Sequence, residues 1–414
     1  MQKEQEKLTH PCQKSIEQQA DHPVSRRRFV SAVTAATAGL VAAACSKSNP
    51  VSSGDRGSLN KSPVAPPSGK PGSGTLQSSA TVATARLDNY DRKMLKDTIQ
   101  ASIEKLGGLS DICKTGDTVG IKLNMTGGEG SAKKAERDFG LSATEIYWTH
   151  PEILRAVGEL FKDAGAGRII VVEAHYDTES YVRWGYRDVV QSLGAEYYGL
   201  NQKAPYGDFV KVDVPNPLTH WDHYYHNGVL YDFDCFVSLP KTKRHYGAGI
   251  TNAMKNMIGS VPLSIYQLSG AWRAKLHSVD ANQDTNSYEG FKNLVRTIVD
   301  LNKIRPIHFT IGDAIKTADN GEGPWNQGFE PIEYNTLITS KDPVAADAIG
   351  TQIMGWDPMA GDRRGPFSNS SLPGNWAGTD NYLRIAEEEG LGYHDLSKIN
   401  VIDASLDTRV VVKG

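Results

Sequence analysis

The chain has 414 residues, 39% of them hydrophobic, and a formal net charge of −3. That length can bury a large core, and the charge includes no block of one sign that would mark a nucleic-acid partner. The cysteines are Cys12, Cys45, Cys113 and Cys235, too few for a disulfide scaffold and without a Cys-x-x-Cys pair.

The first expected element is an export signal. Ser25-Arg26-Arg27-Arg28-Phe29-Val30 matches the twin-arginine pattern, and Val30 to Ala44 is a run of small and apolar residues without charge. The run is too short to span a bilayer and has the length of a signal h-region. Residues 1–44 are therefore read as a twin-arginine signal peptide. Ala42-Ala43-Ala44-Cys45 leaves two outcomes open, lipid attachment at Cys45 or plain cleavage after Ala44. The expected location is the periplasm or cell envelope, with the membrane touched only through an N-terminal lipid. Residues 45–80 are rich in Ser, Pro and Gly, a composition that buries too little surface to order itself and reads as a linker.

Residues 81–414 alternate strand and helix patterns. Val82–Ala85 and Thr118–Asn124 read as strands, with a helix from Arg92 to Leu106 between them. A helix from Pro151 to Ala164, the buried strand Arg168–Ala174 and a helix from Tyr181 to Leu193 follow, then an insertion. Phe236–Leu239 is a strand stopped by Pro240, and Ile250 to Ile258 reads as a helix ended by Gly259. Further on, Tyr288–Lys303, Pro343–Met354 and Asn381–Gly390 read as helices, and His308–Ala314, Asn335–Ser340 and Asn400–Asp403 as strands. Strands spaced by helices predict an α/β fold, a mostly parallel sheet with helices on both faces, in one large domain or two lobes.

The stretch Cys235–Gly259 organises the functional reading. Lys241, Lys243, Arg244 and His245 follow the central strand closely. Ligands of open α/β sheets sit beyond the carboxyl ends of strands, and a helix N-terminus favours anions. Thr251 and Lys255 share one face of the expected helix, as do Asn252 and Asn256. An anion site is expected here, against the alternative of a solvated basic loop.

Other strand-end residues extend the candidate set: Lys122 and Asn124; Glu173, His175 and Asp177; and Asp313. Lys241, Lys243, His245 and Asp313 are the candidate catalytic groups. Lys122, Asn124, His150, Glu173, His175, Arg244, Lys255, Asn256 and Glu322 are the candidate substrate or cofactor contacts. A buried Lys near other cations has a lowered pKa and can act as base or Schiff-base nucleophile. Glu173, His175 and Asp177, or His220, His223 and His226, have ligand types that suit a divalent metal. Packing, or an aromatic lid around Trp221, Tyr224 and Tyr225, competes with that reading, and no metal is assigned. Gly321–Asn326 is a turn able to approach a ligand, with Glu322 its carboxylate. Asp342-Pro343 reads as a helix N-cap. No dinucleotide fingerprint, P-loop or Gly-x-Ser-x-Gly elbow occurs.

Several blocks together resemble the family catalogued as domain of unknown function 362. They are Ile121-Lys122-Leu123-Asn124, Thr149-His150-Pro151-Glu152, Leu239-Pro240-Lys241-Thr242-Lys243 with His245, Met254-Lys255-Asn256-Met257-Ile258-Gly259, and Asp342-Pro343-Val344-Ala345-Ala346-Asp347. The resemblance implies a fold and a site location more than a reaction. Some members carry ferredoxin-like cysteine motifs; this chain does not, so electron transfer through iron–sulfur is not carried over.

Two function classes remain. One is an exported enzyme acting on an anionic small molecule or sugar acid by acid–base or cofactor-assisted chemistry, of isomerase, lyase or oxidoreductase type. The other is a tethered protein that binds an anionic ligand or cofactor without turnover. The cofactor's identity is left open, and no nucleic-acid partner is expected.

Overall fold

The computed structural model describes residues 78–268, 272–277, 288–361, 364–367 and 380–406. The twin-arginine stretch, Cys45 and the linker up to residue 77 lie outside them. Among the described residues no helix is long and apolar enough to cross a membrane.

The strands are β1 (Ala80–Arg86), β2 (Thr118–Lys122), β3 (Arg168–Glu173), β4 (Glu196–Gly199), β5 (Phe209–Asp213), β6 (His223–Asn227), β7 (Cys235–Ser238), β8 (Lys243–His245), β9 (Gly249–Thr251), β10 (Phe309–Asp319), β11 (Glu330–Ser340) and β12 (Ile399–Asp403). Eight of them form one sheet in the order β12-β1-β11-β10-β7-β2-β3-β4. β11 pairs antiparallel with both β1 and β10, and every other pair in this sheet is parallel. The α/β architecture and mostly parallel sheet are as expected.

The alternation of side chains along a strand divides the core into layers. Ile169 and Val171 of β3 face one cluster with Val119, Ile121, Cys235 and Val237, covered by the helices Arg92–Lys105 and Pro151–Asp163. Ile170 and Val172 face the opposite cluster with Phe236 and the β5–β6 hairpin. The helices Tyr288–Ile304, Pro343–Ile353 and Tyr382–Glu388 pack together in a third cluster over β1, β10 and β11. Gly120 of β2 gives Phe233 its space, since a Cβ there would stand 2.0 Å from the ring. Cys113 and Cys235 are buried free thiols.

The chain passes from β2 to β3 to β4 in one direction, then returns to place β7 on the other side of β2. The carboxyl ends of β2 and β7 therefore frame a topological switch point, where open α/β sheets leave a crevice.

The structure corrects two local expectations and closes two alternatives that the sequence left open. First, Ile250–Ile258 is not a helix: β8 and β9 form a short antiparallel hairpin, followed by a 3₁₀ turn over Lys255–Ser260. Tertiary partners take the local backbone and side chains. Asp347 accepts from Ala253 N (2.7 Å) and Met254 N (3.2 Å), and Asn252 is held between Thr242 Oγ1 and the Ala346 carbonyl. Second, Tyr181–Leu193 divides into the helices Thr178–Arg183 and Tyr186–Ser192, because Gly185 turns the chain at φ 86°. Third, His223–Asn227 is a strand, so His223 and His226 fall on opposite faces rather than converging on a metal. Fourth, the basic run Lys241–His245 is buried and not a solvated loop.

Asp347 is the main tie on the segment after β9, accepting also from Tyr382 Oη at 2.7 Å. Burial pushes its carboxyl up to about 7 against these donors. Asp347→Ala leaves buried donors without an acceptor, each costing about 1–3 kcal/mol. Urea unfolding is expected to show a loss of about 3 kcal/mol or more; an unchanged midpoint would remove Asp347 from this role.

Candidate functional site

A cleft of about 450 Å³ opens at the switch point. Its base is built by strand ends: Lys122 and Asn124 after β2, Glu173 at the end of β3, and Lys243 and His245 on β8. Thr251 ends β9, Lys255 and Asn256 come from the segment after it, Arg273 and His277 from the following chain, and Glu322 and Trp325 from the β10–β11 turn.

Lys122 and Glu173 form a buried pair, Nζ to Oε2 at 2.9 Å. Lys122 also donates to the Leu123 carbonyl and, at 3.4 Å, to Asn256 Oδ1. Glu173 accepts further from Met125 N and Ala174 N. Burial pushes the ammonium down and the carboxyl up, and their mutual attraction opposes both shifts. Gly259 permits the close approach of this segment: a Cβ there would lie 2.8 Å from Lys122 Nζ. Asn256 donates to Ser238 Oγ (3.0 Å), so it serves as a clamp between the segment and the sheet.

On β8, alternate residues face opposite sides. Lys243 and His245 line the cleft. Arg244 turns away, stacking 4.2 Å from the Trp356 ring centroid and approaching Asp319 at 3.5 Å. His245 Nδ1 accepts from both Gly247 N and Ala248 N at 3.0 Å. That nitrogen therefore carries no proton, and Nε2 must be the N–H of the neutral ring. Burial first, then the Lys255 charge, keeps His245 well below the usual histidine range. His245 is thus a fixed donor, its Nε2 4.0 Å from Glu322 Oε2, rather than the base its residue type suggested.

Lys243 Nζ donates to the Tyr147 carbonyl at 2.5 Å and makes no other hydrogen bond among the described residues. Burial first, then Lys255, holds it well below the ordinary lysine range. Lys255 lines the cleft with no hydrogen bond or ion pair among the described residues, and burial pushes it down to about 8. Arg273 is tied to the Val261 carbonyl and Asn201 Oδ1, not to a carboxylate. Three buried polar atoms lining the cleft lack a partner: Asn124 Oδ1, Thr251 Oγ1 and His277 Nδ1. Glu322 accepts from Tyr246 N and Trp325 Nε1, which hold it at the rim.

Two candidate catalytic groups lie elsewhere. Lys241 and Asp313 form a separate buried pair at 2.6 Å, across the bridge that extends β7 beside β10. Lys241 Nζ also donates to Tyr90 Oη and to the carbonyls of Thr144, Glu145 and Lys316. His150 belongs to this cluster, stacked on Tyr90 at 3.7 Å, and its Nδ1 caps the helix Pro151–Asp163 through Glu152 N. Burial and the Lys241 and Lys316 charges hold its pKa down at about 3. Neither Lys241, Asp313 nor His150 lines the cleft.

His175 bonds to Tyr197 Oη at 2.6 Å and Asp177 caps the next helix through Ser180 N, so Glu173, His175 and Asp177 diverge. His226 is buried against Tyr231 Oη and Ser260 Oγ, while His223 pairs with Asp222. Trp221 packs on Tyr266 and Tyr224 and does not cover the cleft. No group of three or more His, Cys, Asp or Glu able to hold a metal occurs among the described residues. Arg273 and His277 are cleft residues that sequence reasoning missed; their only signal was a basic residue and a histidine close to Trp272 after the organising stretch.

The Lys241–Asp313 pair generates a test of structural against catalytic standing. Lys241→Met leaves a buried carboxylate without its cation, a loss of about 3–5 kcal/mol, whereas Lys241→Met with Asp313→Leu recovers most of it. Equal stability of the single variant and the parent in urea would contradict the structural role.

A thylakoid-associated protein of Synechocystis sp. (strain ATCC 27184 / PCC 6803 / Kazusa) is 25% identical over 280 residues, covering 67% of this chain and 75% of that protein. A crystal structure of a Thermotoga maritima protein matches with a TM-score of 0.36 and 11% identity over 64% of this chain and 59% of its own. The lactate racemase apoprotein from Thermoanaerobacterium thermosaccharolyticum matches with a TM-score of 0.35 and 10% identity, over 61% of this chain and 54% of its own. The chain spans less than two thirds of either solved structure. The family model described as Domain of unknown function (DUF362) matches residues 119–352, more than half of the 414 residues, and the chain belongs to that family.

Proposed function

We propose that the chain is an exported enzyme whose cleft takes a small anionic molecule, a carboxylate or sugar acid, and transfers protons on it in an isomerisation or elimination. The carrying observation is the set of groups in one cleft that the protein leaves unsatisfied: the unpaired Lys255 ammonium with Asn124 Oδ1, Thr251 Oγ1 and His277 Nδ1. Buried polar atoms are nearly always paired, so an unpaired set facing one cavity points to a ligand. Lys122, Lys255 and Arg273 set against Glu173 and Glu322 favour an anion as that ligand.

Within this reading the cleft residues divide by role. Lys255 and Arg273 meet the anion's charge, and His245 Nε2–H with Thr251 orients it. Lys243, whose ammonium burial disfavours, and Glu322 at the rim are the bases, and Lys255 is the acid. Burial lowers both lysines, Lys243 well below its ordinary range and Lys255 to about 8. The twin-arginine stretch is the support for export, and Cys45 is the proposed point of lipid attachment.

Calorimetry with oxalate tests the site. Binding is expected to weaken as pH rises through about 8, where Lys255 loses its charge, and Lys255→Gln is expected to weaken it about tenfold or more. Proton NMR in D₂O with small carboxylates and sugar acids then separates turnover from capture. Enzyme-dependent C–H exchange lost in Lys243→Arg supports catalysis. Binding without exchange would leave an anion receptor, and no binding at any pH would overturn the anion site.

A further inference from the structure

We infer that Lys243 is the amine of a covalent site that forms an imine with a carbonyl-bearing carboxylate, a 2-oxo acid, in the anion cleft; the inference rests on the anion-binding reading above. The argument comes from comparing how three buried lysines are surrounded. Lys241 Nζ has five acceptors, Tyr90 Oη, Asp313 Oδ2 and the carbonyls of Thr144, Glu145 and Lys316. Lys122 Nζ has three, Glu173 Oε2, the Leu123 carbonyl and Asn256 Oδ1. Both environments suit an ammonium, which has three N–H donors to satisfy.

Lys243 has one acceptor, the Tyr147 carbonyl, and no carboxylate within ion-pair distance among the described residues. It is 1% exposed, so water does little to replace the missing partners. An ammonium here would leave donors unmet in a low-dielectric site, whereas a neutral amine donates once to the carbonyl and keeps its lone pair. The same side chain lines the cleft with Lys255, Arg273 and the His245 donor. A neutral lysine beside a second cation, next to an anion site, is the arrangement that makes an amine nucleophile.

The step balances without an outside oxidant or reductant. The Lys243 nitrogen adds to the carbonyl carbon, forming the C–N bond as the carbonyl π pair moves to oxygen. The Lys255 ammonium gives that oxygen a proton and recovers one from the new nitrogen, leaving a carbinolamine. A second transfer along the same route releases the hydroxyl as water and closes the imine. The net change is amine plus carbonyl to imine plus water. His245 Nε2–H is a fixed donor for the oxygen as its charge develops, and the substrate carboxylate is met by Arg273. A protonated imine then draws electrons from the adjacent carbon, the chemistry that the proposed proton transfer requires.

The test is reductive trapping on the full-length chain near neutral pH. The protein is incubated with glyoxylate, and separately with pyruvate, in the presence of cyanoborohydride, and lysine modification is mapped by peptide mass spectrometry. Each unit by which a lysine's pKa falls raises its neutral fraction about tenfold. Labelling at Lys243 is therefore expected to exceed that at any other lysine by about tenfold or more. It is expected to be suppressed by excess oxalate and absent in Lys243→Arg, with Lys243→Met as a second variant. Mapping on the unsubstituted chain decides the matter even if both variants unfold. Labelling spread over exposed lysines, labelling confined to Lys255, or a Lys243 adduct that oxalate does not suppress would each overturn the assignment. If oxalate binds by calorimetry and Lys243 stays unlabelled, the imine fails while the anion site stands. If oxalate gives no heat and Lys243 stays unlabelled, both fail.

Discussion

A buried lysine is tolerated only where enough acceptors surround it, and this constraint shapes the carboxyl edge of the sheet. The parallel strands end in Lys122 and, one strand over, in the run that holds Lys241 and Lys243. Taking a cation out of water costs several kcal/mol, recovered only by good geometry. Lys122 recovers it from Glu173 at the end of the neighbouring strand, and Lys241 from Asp313 across the next. Glu173 ends β3 and Asp313 lies within β10, so the ion pairs also tie β2 to β3 and the extension of β7 to β10. Lys243 lies beside the same edge with one carbonyl acceptor. The difference among three lysines of one type separates structure from chemistry.

The segment from Pro240 to Ser260 is held from several directions. Thr242 and Asn252 bond to each other beneath it, and Asp347 takes its backbone amides from the helix behind. Asn256 ties it to β7, and the absent side chain of Gly259 lets it settle on the Lys122–Glu173 pair. These constraints leave Thr251, Lys255 and Asn256 lining the cleft and Asn252 turned to Thr242 and the Ala346 carbonyl. Of the buried side-chain atoms without a partner among the described residues, Asn124 Oδ1, Thr251 Oγ1 and His277 Nδ1 gather at this one cleft.

Much of the fold was legible because it follows from periodicity. The apolar run Ile169–Val172 and the helix pattern of Pro151–Asp163 have strong local signals, and both form as expected. The β8–β9 hairpin was hidden because its partners lie about ninety residues on, at Ala346 and Asp347; no local window contains them. Thr251 and Lys255 both line the cleft although the helix does not form, Thr251 from the end of β9 and Lys255 from the start of the 3₁₀ turn. In the site, residue type could name lysines, histidines and acids but not their partners. Lys241 and Lys243 look equivalent in sequence, yet one faces Asp313 and the other the cleft. Arg244 could have been set aside from strand alternation had β8 been recognised. Arg273 and His277 arrive through a connection with no regular pattern, so nothing in the sequence connected them to the strand ends.

The account depends on Lys243 being uncharged while Lys122 and Lys241 are not. Heteronuclear NMR of protein labelled with ¹³C-lysine, titrated with pH and assigned through Lys243→Arg, measures this directly. The account predicts a lysine already neutral near neutral pH whose signal disappears in Lys243→Arg, with Lys122 and Lys241 still protonated there and Lys255 titrating near 8. A Lys243 signal that stays protonated up to the ordinary lysine range, about 10.4, would contradict it.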